Sequence, residues 1–442
     1  MGSVKKPKLC DKVSHGADRI SNLPEPLMLE ILARLPTKYA VRTTTLSSKW
    51  RKIWPSLPEL DLSTLDFKNL EAFVSFVERF FNSNMESIGK LKLVIYDPYD
   101  KIKATATRWI DVVTSRRNIQ HIEFVYNTNY LRNDKIPVQS IYTCETLVHL
   151  KLCGVSLFNA EVVSLPCLRV IHLESAEYRN ESTLEKLISV SPVLEDLTVI
   201  STFNENRFHE NVLQVRSQTV KRIHMGHIRV VIDAPLLQHL IIDTGSEKHF
   251  EVINLGLSTK LHIYDDVGNE VYNYVFIHDI LTDIAKVRDL VVSNGCFWKN
   301  LLRYSNLGPV LQFRNLCHLN ARFPISDLEM LPTILESCPK LESFTLELVK
   351  NRYTRGEKKK DPKVMFSTVP QCLVTSLKFV ELRRGITRYE GEIELIRYLL
   401  KNSKILEKLR LDVYYTQKTK YDFLKEVVAI PRCSNACEVL VL

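Results

Sequence analysis

The sequence lacks the features of a membrane-inserted or exported chain. Among its 442 residues, no apolar run approaches the roughly 18 residues that indicate a membrane-spanning helix. The first residues, MGSVKKPKLCDKVSHGAD, are rich in lysine and contain no apolar signal-peptide core. We therefore expect no membrane partner and a location in the cytoplasm, the nucleus or both.

The motifs of common enzyme classes are also missing. There is no Gly-x-Ser-x-Gly, P-loop, dinucleotide fingerprint or His-Glu-x-x-His. The ten cysteines are scattered without Cys-x-x-Cys or zinc-type spacing, and Cys433 and Cys437 form the closest pair. We expect reduced thiols, no metal, no cofactor and no catalytic residues, so this is not the sequence of an enzyme.

The positive charge is confined to two segments. The chain has a net charge of +9. Residues 1–60 contain eleven Lys/Arg against five Asp/Glu, and residues 350–363, KNRYTRGEKKKDPK, contain seven against two, so the remainder is slightly negative. A nucleic-acid-binding protein would carry a basic stripe with stacking aromatics, and none is present in this remainder. We interpret residues 1–17 as a disordered basic tail and residues 350–363 as a solvated loop, and expect no nucleic-acid partner.

Residues 18–63 have the pattern of three short helices. The first is apolar at every fourth position, at Leu27, Ile31 and Leu35, and Met28 and Leu32 widen this stripe. Pro36 ends it, Thr37 and Ser47 can cap two further helices, and the last carries Trp50 and Trp54. Such a segment is either the core of an ordinary helical subdomain or a docking element, and the pattern does not decide between them.

The run LPEPLMLEILARLPTKYAVRTTTLSSKWRKIW resembles the F-box of plant proteins. The resemblance implies a trihelical module that binds a Skp-family adaptor and thereby joins a cullin-RING ubiquitin ligase. The positions it implies for adaptor binding, or for the core of the module, are Leu23, Pro24, Leu27, Ile31, Leu35, Pro36, Leu46, Ser47, Trp50 and Trp54. The sequence does not separate the two roles, least of all for the two tryptophans.

After Leu62, segments of the form apolar-x-x-apolar-x-apolar recur at intervals of about 21 to 31 residues. The clear examples are TLVHLKL, CLRVIHL, VLEDLTV, TVKRIHM, LLQHLII, VRDLVV, NLCHLN, KLESFTL, SLKFVEL and ILEKLRL. Each predicts one short strand, and stacked parallel strands with helical or irregular returns form a leucine-rich-repeat solenoid. Between Leu240 and Val287 the period fails, which indicates an insertion or degenerate repeats.

In such a solenoid, the polar positions of each strand face the concave side. The candidates for binding a protein target are therefore His149, Lys151, His172, Glu174, His239, His318 and Asn320. The apolar repeat positions themselves are interpreted as core.

The C-terminal residues predict strand, helix, strand, helix and strand, and they resemble the FBD domain of plant F-box proteins. The matching positions are Pro370, Cys372, Leu373, Gly391, Glu394, Pro431, Arg432, Ser434 and Cys437. The expected fold class is therefore α/β: an all-α trihelical F-box at 18–63, an irregular leucine-rich-repeat solenoid at 64–365, and an α/β FBD segment at 366–442.

Together these resemblances imply the substrate-recognition subunit of an SCF-type cullin-RING ligase, which binds an adaptor and an unknown protein target. Two alternatives stay open. One is an F-box scaffold without a degradative role, and the other is a small-molecule-sensing F-box receptor.

Overall fold

The fold was analysed in a computed structural model of the chain. The described residues are 20–83, 88–116, 118–128, 135–158, 161–178, 182–201, 212–243, 250–256, 259–264, 287–293, 298, 312–349, 366, 368–385, 390–413 and 417–442. The proposed tail at 1–17 and the basic run at 350–363 lie outside them. Within these ranges, no helix is long and apolar enough to cross a membrane.

The N-terminal module, residues 20–63, contains three short helices as expected. They are α1 Glu25–Ala33, α2 Thr37–Arg42 and α3 Ser48–Ile53. Pro24 and Pro36 precede α1 and α2 directly, where the missing N–H of proline costs no helical hydrogen bond. Thr37 was predicted to cap α2, and this is wrong. It is the first helical residue and is buried, and its Oγ1 accepts a hydrogen bond from the Asp61 N–H (2.9 Å), which ties α2 to the first strand.

In the described part of the chain, fifteen parallel strands form one continuous sheet. In order along it they are β1 Glu59–Ser63, β2 Lys90–Tyr96, β3 His121–Asn127, β5 His149–Cys153, β7 Val170–Glu174, β9 Asp196–Ile200, β11 Arg222–Gly226, β13 His239–Asp243, β15 Lys260–Tyr264, β16 Asp289–Val292, β17 His318–Pro324, β18 Ser343–Val349, β19 Phe379–Gly385, β20 Lys408–Val413 and β21 Glu438–Val441. Each of the ten repeat segments named from the sequence overlaps one of these strands, which confirms the solenoid of parallel strands.

The return segments are helices only where the repeat is long enough. The long repeats contain α4 Leu70–Ser83, α5 Lys103–Thr114, α6 Ser182–Ser189, α7 Leu331–Glu336, α8 Gln371–Thr375, α9 Glu390–Asn402 and α10 Gln417–Ala429. Other returns are short strands, which form two further parallel sheets: β4 Ile136–Pro137, β6 Val155–Leu157 and β8 Glu177–Tyr178; and β10 Leu213–Arg216, β12 Val230–Ala234 and β14 Phe250–Leu255. From Arg222 to His239 there are 17 residues, too few for a helix with two loops.

Between Leu240 and Val287, where the sequence indicated an insertion or degenerate repeats, β15 continues the sheet, as a degenerate repeat predicts. It pairs in register with β13 and β16. The apolar pattern does not detect this repeat because the residue three positions before Leu261 is Ser258. Thr259 is buried, and its hydroxyl donates to the carbonyl oxygens of Leu237 (2.7 Å) and Gly256 (2.8 Å). Residues 265–286 lie outside the described part of the chain.

The C-terminal segment continues the same sheet instead of forming a separate lobe. Strands β19, β20 and β21 alternate with α9 and α10, in the order expected from the sequence. Ser434 is buried and its hydroxyl donates to the Leu406 carbonyl at 2.7 Å, which fixes the last turn to the preceding repeat. One apolar core runs from Met28 to Cys437, so the N-terminal module, repeats and C-terminal segment share it.

Gly154, between β5 and β6, occupies a backbone position that other residues tolerate poorly. Its φ is +71°, and an added Cβ would lie 2.0 Å from the carbonyl oxygen of Tyr126. We expect Gly154→Ala to lower the free energy of unfolding by about 2 kcal/mol or more, from strain and this clash. Gly89→Ala is the control, since its nearest atoms would be 3.9 Å away. Chemical denaturation would measure both, and equal stability of the two variants would contradict the expectation.

Candidate functional site

The interior of the N-terminal module is already filled by its own large side chains. Met28 and Leu32 of α1 are fully buried, and Trp50 and Trp54 are only 1% and 6% exposed. Trp54 stacks on Phe76 of α4, with ring centroids 5.5 Å apart and planes 22° apart. The structure therefore places both tryptophans in the core, where they are covered, and not on the surface of the module.

A second set of large apolar side chains points outward from the same module. The outward apolar set consists of Ile20, Leu27, Ile31, Leu35, Tyr39 and Leu46, which are between 38% and 58% exposed. These are six of the nineteen large exposed apolar residues in the described part of the chain, gathered within 27 residues. Exposed apolar residues scattered singly need no explanation, whereas such a concentration indicates an interaction surface.

The remaining positions implied by the F-box resemblance belong neither to the buried core nor to the outward apolar set. Leu23 is half-buried and packs against the core, while Pro24 and Pro36 are exposed at the helix starts. Ser47 precedes α3, but its side chain forms no capping bond. Of the implied residues, the structure thus brings Leu27, Ile31, Leu35 and Leu46 to the surface as large apolar groups.

The sequence reasoning missed Ile20 and Tyr39. A signal existed for Tyr39, since it continues the four-residue spacing of Leu27, Ile31 and Leu35. The intervening Pro36 hid it, because the proline starts a new helix. Ile20 precedes α1, and no periodicity identifies it.

The exposed charged residues of the three helices are mostly basic. Arg42 lies over the Tyr39 ring, 5.8 Å from its centroid, and Arg51 and Lys52 are exposed on α3. Arg34 pairs with Glu30 at 2.7 Å, but both side chains are largely exposed, so this pair contributes little to stability. An excess of exposed basic residues on this module complements an acidic partner.

A second candidate surface is the open face of the large sheet, which we define as the strand positions that alternate with the core positions. All seven target-binding candidates lie on it: His149 and Lys151 on β5, His172 and Glu174 on β7, His239 on β13, and His318 and Asn320 on β17. Their position is as expected, and their role in target binding stays a prediction.

Several of these candidate side chains already contact side chains on the adjacent strand. Lys151 donates to Glu123 at 2.8 Å, and the His149 ring lies 5.8 Å from that of His121. Burial lowers the pKa of His149, and the second histidine lowers it further. The pKa of Glu174 is also lowered, chiefly by the imidazole of His172, whose Nε2 lies 3.6 Å from Glu174 Oε2.

The structure adds His224 and His262, which the sequence reasoning missed. They share one register row with the predicted His172 on alternate strands, with Thr198 and Ile241 between them. The signal was available, because each histidine occupies the same position of its repeat. His224 Nε2 lies 3.0 Å from Asp243 Oδ2, and His262 Nε2 lies 2.5 Å from Ser293 Oγ. Burial lowers the pKa of His262.

Neither surface presents a recognisable metal centre. Across the described ranges, no group of three or more His, Cys, Asp or Glu side chains is arranged to hold a metal ion. Cys433 and Cys437 are both free, and Cys338 and Cys372 are fully buried, where burial raises the pKa of the Cys372 thiol to about 12. These two thiols fill the core as small apolar groups.

Comparison with known proteins gives the family. Three family models match: the F-box domain at residues 20–61, the LRR repeats of "FBD-associated F-box protein At5g56370" at 106–288, and FBD at 366–411. The F-box/FBD/LRR-repeat protein At1g51370 of Arabidopsis thaliana is 55% identical over 447 residues, which cover 100% of both chains. The chain belongs to the F-box/FBD/LRR-repeat family.

Two further Arabidopsis thaliana relatives support this assignment. F-box/FBD/LRR-repeat protein At5g53840 is 43% identical over 99% of this chain and 98% of its own. FBD-associated F-box protein At5g22730 is 36% identical over 96% and 94%. The N-terminal module is thus an F-box, the C-terminal segment is an FBD, and the family indicates a substrate-recognition adaptor rather than an enzyme.

Proposed function

We propose that this F-box/FBD/LRR-repeat protein is the substrate-recognition subunit of an SCF-type cullin-RING ubiquitin ligase. Its F-box binds a Skp-family adaptor, and the open face of the repeats and FBD binds a protein target. The chain contributes proximity: it holds the target beside the ubiquitin-transfer machinery and breaks no bond itself.

The outward apolar set carries this proposal. Leu27 and Ile31 lie about 100° around α1 from the buried Met28 and Leu32, and they are exposed. The apolar surface of the helix is therefore wider than the part that builds the F-box core, and a second apolar face is left exposed. A surface helix normally keeps one face polar, so the second apolar face supports a permanent partner.

The packing between the F-box and the sheet supports a function that couples two binding events. Trp54 stacks on α4, and Thr37 of α2 accepts a hydrogen bond from the Asp61 N–H of β1. Lys38 pairs with Asp66 at 2.8 Å across the same junction. A partner on the F-box is therefore held in a defined position relative to a target on the sheet.

Co-expression with a Skp-family adaptor tests the proposal. We expect the full chain and the adaptor to co-elute as a stoichiometric complex, and this complex to retain a cullin-RING assembly in a pull-down. With an E1, an E2 and ubiquitin, a protein captured on the repeats should then be ubiquitinated. Adaptor binding without ubiquitin transfer would indicate a scaffold instead, and absence of adaptor binding would reject the proposal.

A further inference from the structure

The open face carries a regular system of ion pairs between adjacent strands. Four of its carboxylates pair with lysine or arginine in this way: Glu59 with Lys90 at 2.5 Å, Asp61 with Lys92 at 3.3 Å, Asp196 with Arg222 at 2.7 Å, and Glu347 with Arg322 at 3.3 Å. In such pairs the charges compensate each other, so little remains to attract a partner.

Three carboxylates of the face depart from this pattern and pair with histidine instead. Among the described residues, the ion-pair partner of Glu174 is His172, with the atoms 3.6 Å apart, that of Asp243 is His224, at 3.0 Å, and that of Asp289 is His318, at 3.0 Å. Glu174 and Asp243 lie in the same register row, whereas Asp289 lies in the row of Lys260 and His318. Lys151 acts on Glu174 through space, but its ammonium is bound by Glu123. A histidine compensates a neighbouring carboxylate only when it is protonated, whereas a lysine or arginine is charged throughout the physiological pH range.

The row of Glu174 and Asp243, which we name the acidic row, consists of Glu174, Ile200, Gly226, Asp243 and Tyr264. Gly226 has no side chain, and a Cβ there would lie 3.0 Å from Asp243 Oδ2. The absence of a side chain lets Asp243 lean across this position to reach His224. Between the carboxylates, the row therefore presents only Ile200 and the backbone of Gly226.

Tyr264 completes the row beside Asp243. Its side chain is 42% exposed, and its ring contacts His262 edge-on, with the centroids 6.3 Å apart. A carboxylate next to an exposed aromatic ring suits a lysine or arginine, which pairs with the first and lies over the face of the second. The other carboxylate, Glu174, offers a second position for a cation.

The distance between Glu174 and Asp243 determines the distance between the two cationic groups of a ligand that binds both. Glu174 and Asp243 are separated by three strand-to-strand steps, or about 14 Å at roughly 4.8 Å per step. An extended chain advances about 3.3 Å per residue and repeats its side-chain direction every second residue. Side chains at positions i and i+4 of an extended segment thus match both the distance and the direction.

We propose that the acidic row binds an extended segment of the target protein that carries two basic residues four positions apart. This rests on the proposed function, since it specifies the target of the same repeats. One cation pairs with Glu174 and the other with Asp243 beside Tyr264, and the apolar floor at Ile200 contacts the residues between them. Charge complementarity selects this occupant, even though the chain as a whole has a net charge of +9.

The test is a differential selection at pH 8. A random dodecapeptide display library is selected on the full chain, on Glu174→Gln/Asp243→Asn, and on the matched control Asp61→Asn/Glu347→Gln. The control removes two carboxylates of the same types from the same face, but both are already paired with Lys92 and Arg322. Circular dichroism verifies that all three proteins are folded.

We expect the sequences enriched on the unmodified chain over the first variant to contain Lys or Arg at i and i+4. A synthetic peptide of that sequence should bind at least about tenfold more weakly to Glu174→Gln/Asp243→Asn and within twofold of normal to the control. Distinguishing sequences without a basic excess, no distinguishing sequences, or an equal loss in the control would overturn the inference.

Adaptor co-elution is measured on the same three preparations, which separates the two proposals. Adaptor binding with no preference for basic peptides contradicts only the acidic row. Loss of adaptor binding by the unmodified chain contradicts the proposed ligase role, whatever the peptides show.

Discussion

The double variant Leu27→Asp/Leu46→Asp is expected to lower the affinity for a Skp-family adaptor about a thousandfold. Both side chains are about half exposed, so they are available to a partner. Large apolar anchors at an interface commonly contribute about 2 kcal/mol or more each, and a tenfold change in affinity corresponds to about 1.4 kcal/mol. The introduced carboxylates would in addition be buried without partners in the complex. Titration calorimetry with the purified adaptor measures the loss.

Folding should be preserved in this variant, because neither residue belongs to the buried core of the F-box. The matched control is Leu65→Asp/Val428→Asp, which places the same charges at apolar residues that are 82% and 69% exposed outside the outward apolar set. The control should bind the adaptor within about twofold of the unmodified chain. If the F-box variant binds equally well, the outward apolar set is not the adaptor surface.

The position of each strand was predictable because its signal is local. In β5, Leu150 and Leu152 are buried while His149 and Lys151 are not, so the alternation in sequence is the alternation in space. The returns were less predictable, since repeats of similar length differ in form: α6 lies between β7 and β9, which begin 26 positions apart, whereas strand β4 lies between β3 and β5, which begin 28 positions apart. Thr259 shows a further limit: its buried hydroxyl has two backbone acceptors, and an apolar pattern does not detect a buried polar residue.

The buried face of the F-box helices could not be predicted from the sequence, for a different reason. In α1, Leu27 and Ile31 differ little in chemistry from Met28 and Leu32, and all four fit an amphipathic stripe. Which pair faces inward is decided by the helices packed against α1, among them α3, which carries the buried Trp50. Tertiary packing separates the core from the outward apolar set, and it places both tryptophans in the core.

The acidic row was hidden because its members come from five separate repeats. Each strand contributes one residue at its C-terminal end, which is unremarkable alone. Only the register brings Gly226 beside Asp243, and only comparison with the other ion pairs of the face shows that, among the described residues, Glu174 and Asp243 pair with histidine rather than with lysine or arginine. Sequence reasoning selected Glu174 and His172, but it missed Asp243 and His224.

Replacing Trp54 with alanine is expected to destabilise the F-box while the distant repeats keep their stability. Trp54 is 6% exposed and packs against both Phe76 and Phe80 of α4, with ring centroids 5.5 and 5.8 Å away. Removing a buried tryptophan costs about 3 to 5 kcal/mol, from lost burial and the cavity left behind. Because a long repeat array does not unfold as one unit, this loss should be local to the F-box and α4.

Amide hydrogen exchange resolves this effect along the chain. Protection of α1, α2 and α3 should fall by the equivalent of about 3 kcal/mol in Trp54→Ala, while β17 to β20 keep their protection. Trp54→Phe is the matched control, since it retains an aromatic ring against Phe76 and should lose markedly less. Adaptor affinity in Trp54→Ala should fall only in proportion to the fraction of unfolded F-box, because the buried Trp54 side chain is not available to contact the adaptor. Unchanged protection of the F-box helices would show that the junction with α4 does not stabilise the module.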